Sequence, residues 1–279
     1  MEIFEEIKAL KAFLGARRDK HLSIGLVPTM GALHDGHLEL IKSSKAENQV
    51  TVCSIYVNPA QFNNPSDLQK YPRTIERDSE LLQKAGCDVI FAPSNQEMYS
   101  QNSTLLFDFG SLDKVLEGKF RPGHFSGVAL VVSKLFNIVQ PNRAYFGQKD
   151  FQQFKIISKV VEELLFDLKL SSVPIVREQS GLAMSSRNQR LSIEEKTKAT
   201  IFYQSLIRAK YLLLNGDSIG KVRNEVEKKC QSITGVRLEY LELADTENLN
   251  PTETVSNKSI LLIAGYVGEV RLIDNLLLD

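Results

Sequence analysis

Through the first two-thirds of the chain, short continuous runs of apolar and β-branched residues alternate with longer stretches in which apolar positions return every three or four residues. LSIGLV (22–27), VTVCSIYV (50–57), DVIFAP (88–93) and AYF (144–146) read as strands buried on both faces. In HFSGVALVVSKLFNIVQP, Phe125, Val128, Val132, Leu135, Phe136 and Val139 form one helical stripe that stops before Pro141. TIERDSELLQKAG is a second helix pattern, running into Gly86, a residue suited to a left-handed cap. Strand and helix in turn predict an α/β fold, a doubly wound parallel sheet with right-handed crossovers whose ligands gather at the carboxyl ends of the strands.

The pattern changes after SSVPIVREQSGLAMSSRNQR. Ser192 with Glu195 makes a capping box for a long helix through about Leu214, stopped at Asn215-Gly216, and a second helix follows near KVRNEVEKKCQSI. VRLEYLELA, SILLIAGYV and EVRLID then read as three strands. The expected division is residues 1–176 as a Rossmann-like domain and 177–279 as a smaller C-terminal α+β domain, joined near Arg177 to Gly181. No repeat or low-complexity tract interrupts either part, and Asn63 to Pro65 reads as a plain loop.

Composition narrows the partners. At 279 residues the chain can bury a substantial core, and its 34 basic and 34 acidic side chains balance, so no overall field draws it to nucleic acid or membrane. Any anion must be held locally. Cys53, Cys87 and Cys230 are widely spaced and odd in number, which argues against a disulfide framework or a zinc knuckle. The amino terminus is charged and amphipathic rather than signal-like, and no run reaches the roughly 20 apolar residues of a membrane span. A soluble, cytoplasmic protein is expected.

Candidate chemistry begins at VPTMGALHDGHLEL, where His34 and His37 follow the first strand pattern and open the next helix. Unpaired N–H groups and the helix dipole favour an anion there, Gly31 permits a tight turn, and Gly36 leaves room against the backbone. Imidazoles aimed at such an anion are expected in their protonated forms. Zinc is the weaker reading, because no third ligand is evident. There is neither a G-x-x-x-x-G-K-[ST] loop nor a G-x-G-x-x-G after the first strand, which leaves P-loop and nicotinamide-binding folds unsupported. Alone, H-x-G-H is a weak signal.

With TMGALHDGH, VNPAQF, YPRT, RPGHFSGV, AYFGQKDFQQ and GLAMSSRN in one order, most of residues 22–191 resembles the pantothenate synthetase family. The resemblance implies a Rossmann-like nucleotidyltransferase related to class I aminoacyl-tRNA synthetases, with His34 and His37 as the HIGH histidines and MSSR as a short counterpart of KMSKS. It implies an ATP-dependent ligase. Pantoate carboxylate attacks the α-phosphorus of ATP, pyrophosphate leaves, and β-alanine takes the acyl group from the pantoyl adenylate to give pantothenate, a precursor of coenzyme A, and AMP.

By the same resemblance, Met30, Gly31, Ala32, Leu33, His34, Asp35, Gly36 and His37 form the nucleotide cradle, with His37 and His34 as catalytic residues. Gly147, Gln148, Lys149 and Asp150 match the second ATP segment; Val176 and Met184, Ser185, Ser186 and Arg187 match the adenine side and the phosphate loop. Gln61 and Gln153 match the substrate positions for pantoate and β-alanine, with Asn58, Tyr71 and Arg121 as further pocket candidates. His124 reads equally as a helix-start histidine with a structural bond. Asp35 and Gln148 stand where the family often has Glu. Mg²⁺ should accompany the triphosphate, with Asp78 a candidate ligand, and the family suggests a homodimer. Two rivals share the motifs: a cytidylyl- or tRNA-directed relative, which would lack the two glutamines, and a non-catalytic nucleotide sensor.

Overall fold

The computed structural model describes residues 1–101 and 103–278. Its first part is a six-stranded, all-parallel sheet of β1 (Glu2–Phe4), β2 (Ile24–Thr29), β3 (Val50–Ile55), β4 (Val89–Phe91), β5 (Arg143–Gly147) and β6 (Lys169–Val173), ordered β1-β4-β3-β2-β5-β6. Helices α1 (Ile7–Arg18), α2 (Asp35–Glu47), α3 (Pro65–Gln69), α4 (Ile75–Lys84), α5 (Asn95–Met98), α6 (Leu116–Phe120), α7 (His124–Val139) and α8 (Phe151–Glu163) make the crossovers. The four sequence-predicted strands are the central ones. The two the pattern missed, β1 and β6, are the sheet edges, where EIF and KLSSV lack a continuous apolar run because little of either is buried.

The strand order reverses at β2, which pairs β3 on one side and β5 on the other. A crevice opens at such a switch point, outside the carboxyl ends of the two diverging strands. Those ends carry Met30 to His37 and Gly147 to Asp150, so the topology alone brings the two motif segments together.

The second part holds α9 (Ile193–Leu214), α10 (Ile219–Gln231) and an antiparallel sheet β7-β8-β9, with β7 at Val236–Asp245, β8 at Ser259–Val267 and β9 at Val270–Leu277. The Ser192 hydroxyl accepts from Glu195 N at 3.2 Å and the Glu195 carboxylate from Ser192 N at 2.8 Å, the reciprocal capping expected from the sequence. One sheet face packs on α9 and α10 through Phe202, Leu206, Val226, Leu241 and Ile263. The other buries Tyr240, Ala244, Ile260 and Leu262 against Leu116, with Phe151 of α8 alongside. Both faces of β8 are thus covered, which is why SILLIAGYV is apolar almost throughout.

A buried ion pair reinforces this contact. Arg271 donates to both Glu117 oxygens, at 2.6 and 2.8 Å, and the Tyr240 hydroxyl donates to one of them at 2.8 Å. Burial alone would raise the Glu117 carboxyl, but Arg271 and Tyr240 outweigh it and hold it below the ordinary glutamate range. A depressed folded value means that its stabilisation is complete above the unfolded pKa and lost as pH falls through the folded one. Because Arg271 keeps buried Glu239 as a second carboxylate partner, Glu117→Gln weakens the pair without orphaning it and is expected to lose about 1–3 kcal/mol at pH 7, the range for a lost charge-assisted hydrogen bond. Urea unfolding at pH 7 and pH 3 checks the linkage: the wild type should lose more stability on acidification than the variant, and equal losses would contradict it.

Candidate active site

After β2 the chain reverses through Gly31 (φ +77°) and Ala32 (φ +50°), and one carboxylate holds the reversal. Asp78, wholly buried on α4, accepts from Ala32 N and Leu33 N at 2.8 Å each and from the Thr74 hydroxyl at 3.1 Å. A Cβ at Gly31 would meet Asp78 Oδ2 at 3.0 Å in a left-handed backbone, so glycine suits the position twice over. Asp78, considered from sequence as a magnesium ligand, instead has both oxygens engaged by the turn.

The turn delivers His34 as the N-cap of α2 and His37 on its first turn, ring centroids 4.0 Å apart. Gly36 makes room for this arrangement, since a Cβ there would come within 2.9 Å of the His34 ring. His34 N donates to His37 Nδ1 at 3.4 Å. In the neutral ring the proton then sits on Nε2, which makes that nitrogen a donor. His34 Nδ1 is buried without a hydrogen-bond partner among the described residues.

Burial works against the protonation expected of imidazoles beside a bound anion. Burial first, then the neighbouring His37 and Lys149, push His34 down to about 2; burial and Lys149 push His37 down to about 4. Both rings are neutral at pH 7, because stripping water from a cation beside another cation costs more than the helix start returns.

A cavity of about 210 Å³ lies over this helix start. Met30, His34, Gly36 and His37 line one side, and Gly147, Lys149, Asp150 and Gln153 another. Val176, Met184, Ser185, Ser186 and Arg187 close it, Met184 N donating to Val176 O at 3.0 Å. Gly31, Ala32, Leu33, Asp35 and Gln148 are not among its lining residues. The first three shape the turn behind it and Asp35 is exposed. Gln148 turns to β9, where its amide donates to Asn275 Oδ1 at 3.3 Å.

Gln61 is positioned with unusual completeness. It ends the 3₁₀ turn Pro59–Gln61, and buried Asn58 donates both to Gln61 Oε1 at 3.1 Å and to Gly127 O at 3.1 Å. With Oε1 so occupied, the NH₂ end faces Met30 Sδ at 3.1 Å and the cavity. His124 begins α7 and is structural in this respect: Nδ1 meets Gln61 O at 2.8 Å and Nε2 meets Arg121 at 3.0 Å. Gln153 has no such internal bond among the described residues and stands half-buried on the cavity wall. Opposite, α7 contributes Val128, Val131, Val132 and Leu135, an apolar flank that periodicity assigns only to core.

Two of the phosphate-loop donors already have partners. Ser186 Oγ donates to Ala32 O at 2.9 Å, tying the loop to the histidine turn, and Arg187 donates to Asp67 at 3.0 Å. Asp67 belongs to α3, which starts at Pro65 with Asn64 as its cap, so the loop read over Asn63 to Pro65 leads directly into a short helix. Sequence reasoning gave Asp67 no role. The Asn64-Pro65 pair, a cap followed by a helix-starting proline, was the available signal.

A parallel sheet with paired histidines at the switch-point helix defines a nucleotidyltransferase-type α/β fold. The chain belongs to the pantoate-beta-alanine ligase family, whose sequence profile matches residues 2–277. It is 48% identical over 279 residues to the pantothenate synthetase of Thermotoga petrophila, covering 100% of both chains. Among solved structures it is similar to the pantothenate synthetase from Thermus thermophilus, with TM-score 0.93 and 40% identity over 100% of this chain and 99% of that one. It is also similar to the pantoate-beta-alanine ligase from Francisella tularensis complexed with beta-gamma ATP and beta-alanine, with TM-score 0.82 and 37% identity over 99% and 97%.

The neutrality of the histidines has a direct check. Ring-nitrogen chemical shifts are expected to show both uncharged at pH 6, with His37 gaining its proton only near about pH 4. Added inorganic pyrophosphate should move that transition upward by favouring the cation. Charged rings at pH 6 before pyrophosphate is added would contradict the assignment.

Proposed function

We propose that this chain is an ATP-dependent ligase that condenses (R)-pantoate with β-alanine through a pantoyl adenylate, releasing pyrophosphate and AMP. The observation that carries the reading is one cavity shared by the two histidines, Lys149 and the two glutamines, at the sheet's switch point.

In the first step a pantoate carboxylate oxygen bonds to the α-phosphorus and the bond from that phosphorus to the bridging oxygen of pyrophosphate breaks. Negative charge develops on the phosphoryl oxygens, and the donors aimed there are the Nε2–H of neutral His37, the His34 ring, Lys149 and the N–H groups opening α2. The NH₂ group of Gln61 and the free amide of Gln153 suit the hydroxyl and carboxylate of pantoate without placing a cation against the attacking oxygen. Its gem-dimethyl carbon matches the α7 flank of Val128, Val131 and Val132. Val176 and Met184 then take the adenine side. In the second step the β-alanine amine bonds to the acyl carbon, AMP departs and the amine loses its surplus proton.

Mg²⁺ is read as part of the ATP substrate. Among the described residues no group of three His, Cys, Asp or Glu side chains is placed to hold a metal, so phosphate oxygens and water would supply most of its ligands, with Asp150 the carboxylate on the cavity wall. We read residues 177–279 as a lid domain whose closing element is the Met184–Arg187 segment. A cytoplasmic homodimer completes the proposal.

Pyrophosphate release followed while the acid is varied tests the reading: turnover should require pantoate, and turnover with an amino acid in its place would overturn it. In the active enzyme, His37→Ala is expected to slow single-turnover adenylate formation by roughly 10²–10³, the usual loss for one preorganised donor. A near-native rate would remove His37 from the mechanism.

For the glutamines, a pantoate analogue lacking one hydroxyl leaves a buried amide unsatisfied at a cost of about 1–3 kcal/mol. The wild type should discriminate sharply against it in kcat/KM, and Gln153→Leu should depress use of both acids and narrow the gap. Undiminished discrimination in the variant would show that Gln153 does not read the acid.

A further inference from the structure

Arg187 and Arg190 are the second and last residues of one 3₁₀ turn, Ser186–Arg190, and donate to different oxygens of the same carboxylate. Arg187 Nη2 reaches Asp67 Oδ2 and Arg190 Nη1 reaches Asp67 Oδ1, both at 3.0 Å. The three side chains are each about three-quarters covered, at 26%, 23% and 25% exposure for Arg187, Arg190 and Asp67. Burial would raise the Asp67 carboxyl, but the two guanidiniums outweigh it and hold it below the ordinary range, so it is ionised wherever the enzyme works.

The cluster lies where two cavities meet. Arg187 lines the histidine cavity and also a second, polar cavity of about 450 Å³, whereas Asp67 and Arg190 line only the second. Lys70, Arg121, Lys149 and Arg271 face that second space as well, with Glu117, Asp150 and Glu269 as further acids, so cations still outnumber acids there. One carboxylate against two guanidiniums leaves a surplus positive charge at the junction, but it does not leave Arg187 free.

This inference rests on the proposed function, in which Arg187 meets the triphosphate. If Arg187 turned to phosphate and Asp67 had no other partner, a poorly solvated carboxylate would be left facing the incoming anion. Arg190 removes that problem. We propose that Asp67 and Arg190 are positioning residues forming a counterweight to Arg187: Asp67 competes with phosphate for Arg187, and Arg190 keeps the carboxylate neutralised when Arg187 passes to phosphate. The pair thereby sets how tightly the enzyme grips both ATP and the departing pyrophosphate. An arginine with no competitor would hold substrate and product alike, which strengthens binding without speeding chemistry and slows release.

Calorimetric titration of the full-length enzyme with inorganic pyrophosphate tests this, because it reads the grip without needing turnover. Asp67→Asn, and independently Asp67→Ser, should tighten pyrophosphate binding by roughly three- to tenfold, the scale of a partly screened charge-assisted pair. Arg190→Gln should weaken it by a similar factor, and that weakening should vanish in an Asp67→Asn background. A merely structural role would weaken binding in every variant. Weaker or unchanged binding in both Asp67 variants, or an Arg190→Gln effect that persists beside Asp67→Asn, overturns the counterweight. Pantoate-dependent pyrophosphate release by the wild type tests the underlying function separately: its absence removes that function, whereas its presence with the wrong signs in the variants removes only this inference.

Discussion

The geometry of the site hangs on the Asp78 carboxylate. Two consecutive backbone N–H groups, those of Ala32 and Leu33, point away from any strand or helix partner as the chain leaves β2, and each would cost about 1–3 kcal/mol if buried unpaired. Asp78 takes one on each oxygen, at 2.8 Å. That bidentate grip makes the positive φ values at Gly31 and Ala32 tolerable and sets the direction in which α2 departs. Everything that depends on α2 follows: the cap position of His34, the stacking of His37 against it, and the carbonyl of Ala32 that the Ser186 hydroxyl finds. The residue therefore serves the chemistry from behind the cavity wall.

The second constraint is the attachment of the C-terminal sheet, which decides where the Met184–Arg187 segment can stand. Asn275 of β9 donates to the carbonyls of Gln148 and Lys149, at 3.0 and 2.9 Å, so the sheet is bonded to the backbone that presents the Lys149 side chain. Arg177 joins the connecting hairpin to the same strand through a two-point pair with Asp274, at 2.6 and 2.9 Å. The Asn275 bonds and the Glu117–Arg271 pair lie on the inner face of the sheet, beside the apolar contact of Tyr240, Ala244, Ile260 and Leu262 with Leu116, whereas Asp274 shares the α9 face with Leu272. Polar groups fix the angle of docking, and apolar area provides its strength.

How much of this could be read beforehand follows from the kind of interaction involved. The four central strands were legible as continuous apolar runs, α7 from its apolar stripe and α9 from its capping box, because burial and capping each leave a local mark on the sequence. Edge strands β1 and β6 escaped because an edge imposes none. Motif resemblance grouped the histidine turn, Lys149 and Gln61, which line one cavity, yet it did not give the charge state of the histidines. The helix start alone argued for charged imidazoles, and only the three-dimensional proximity of Lys149 and the depth of burial reverse that argument. In the same way Asp78 looked like a ligand and Asp67 drew no attention, since a carboxylate's role is set by which N–H groups reach it across 45 or 120 positions of chain.

Three of the groups around the cavity share a further property: each is held by an internal partner. Gln61 is fixed by Asn58 and His124, Ser186 by Ala32, and Arg187 by Asp67. Ordering a long polar side chain costs up to about 2 kcal/mol of rotamer freedom, and for Gln61 that ordering is completed on folding rather than on binding. The neutral histidines extend the same logic to charge. A ring protonated in the resting protein would bind ground-state ATP strongly and gain less as the transition state forms. A neutral Nε2–H that becomes a better donor as negative charge builds nearby acts differentially, and differential stabilisation is what accelerates a reaction.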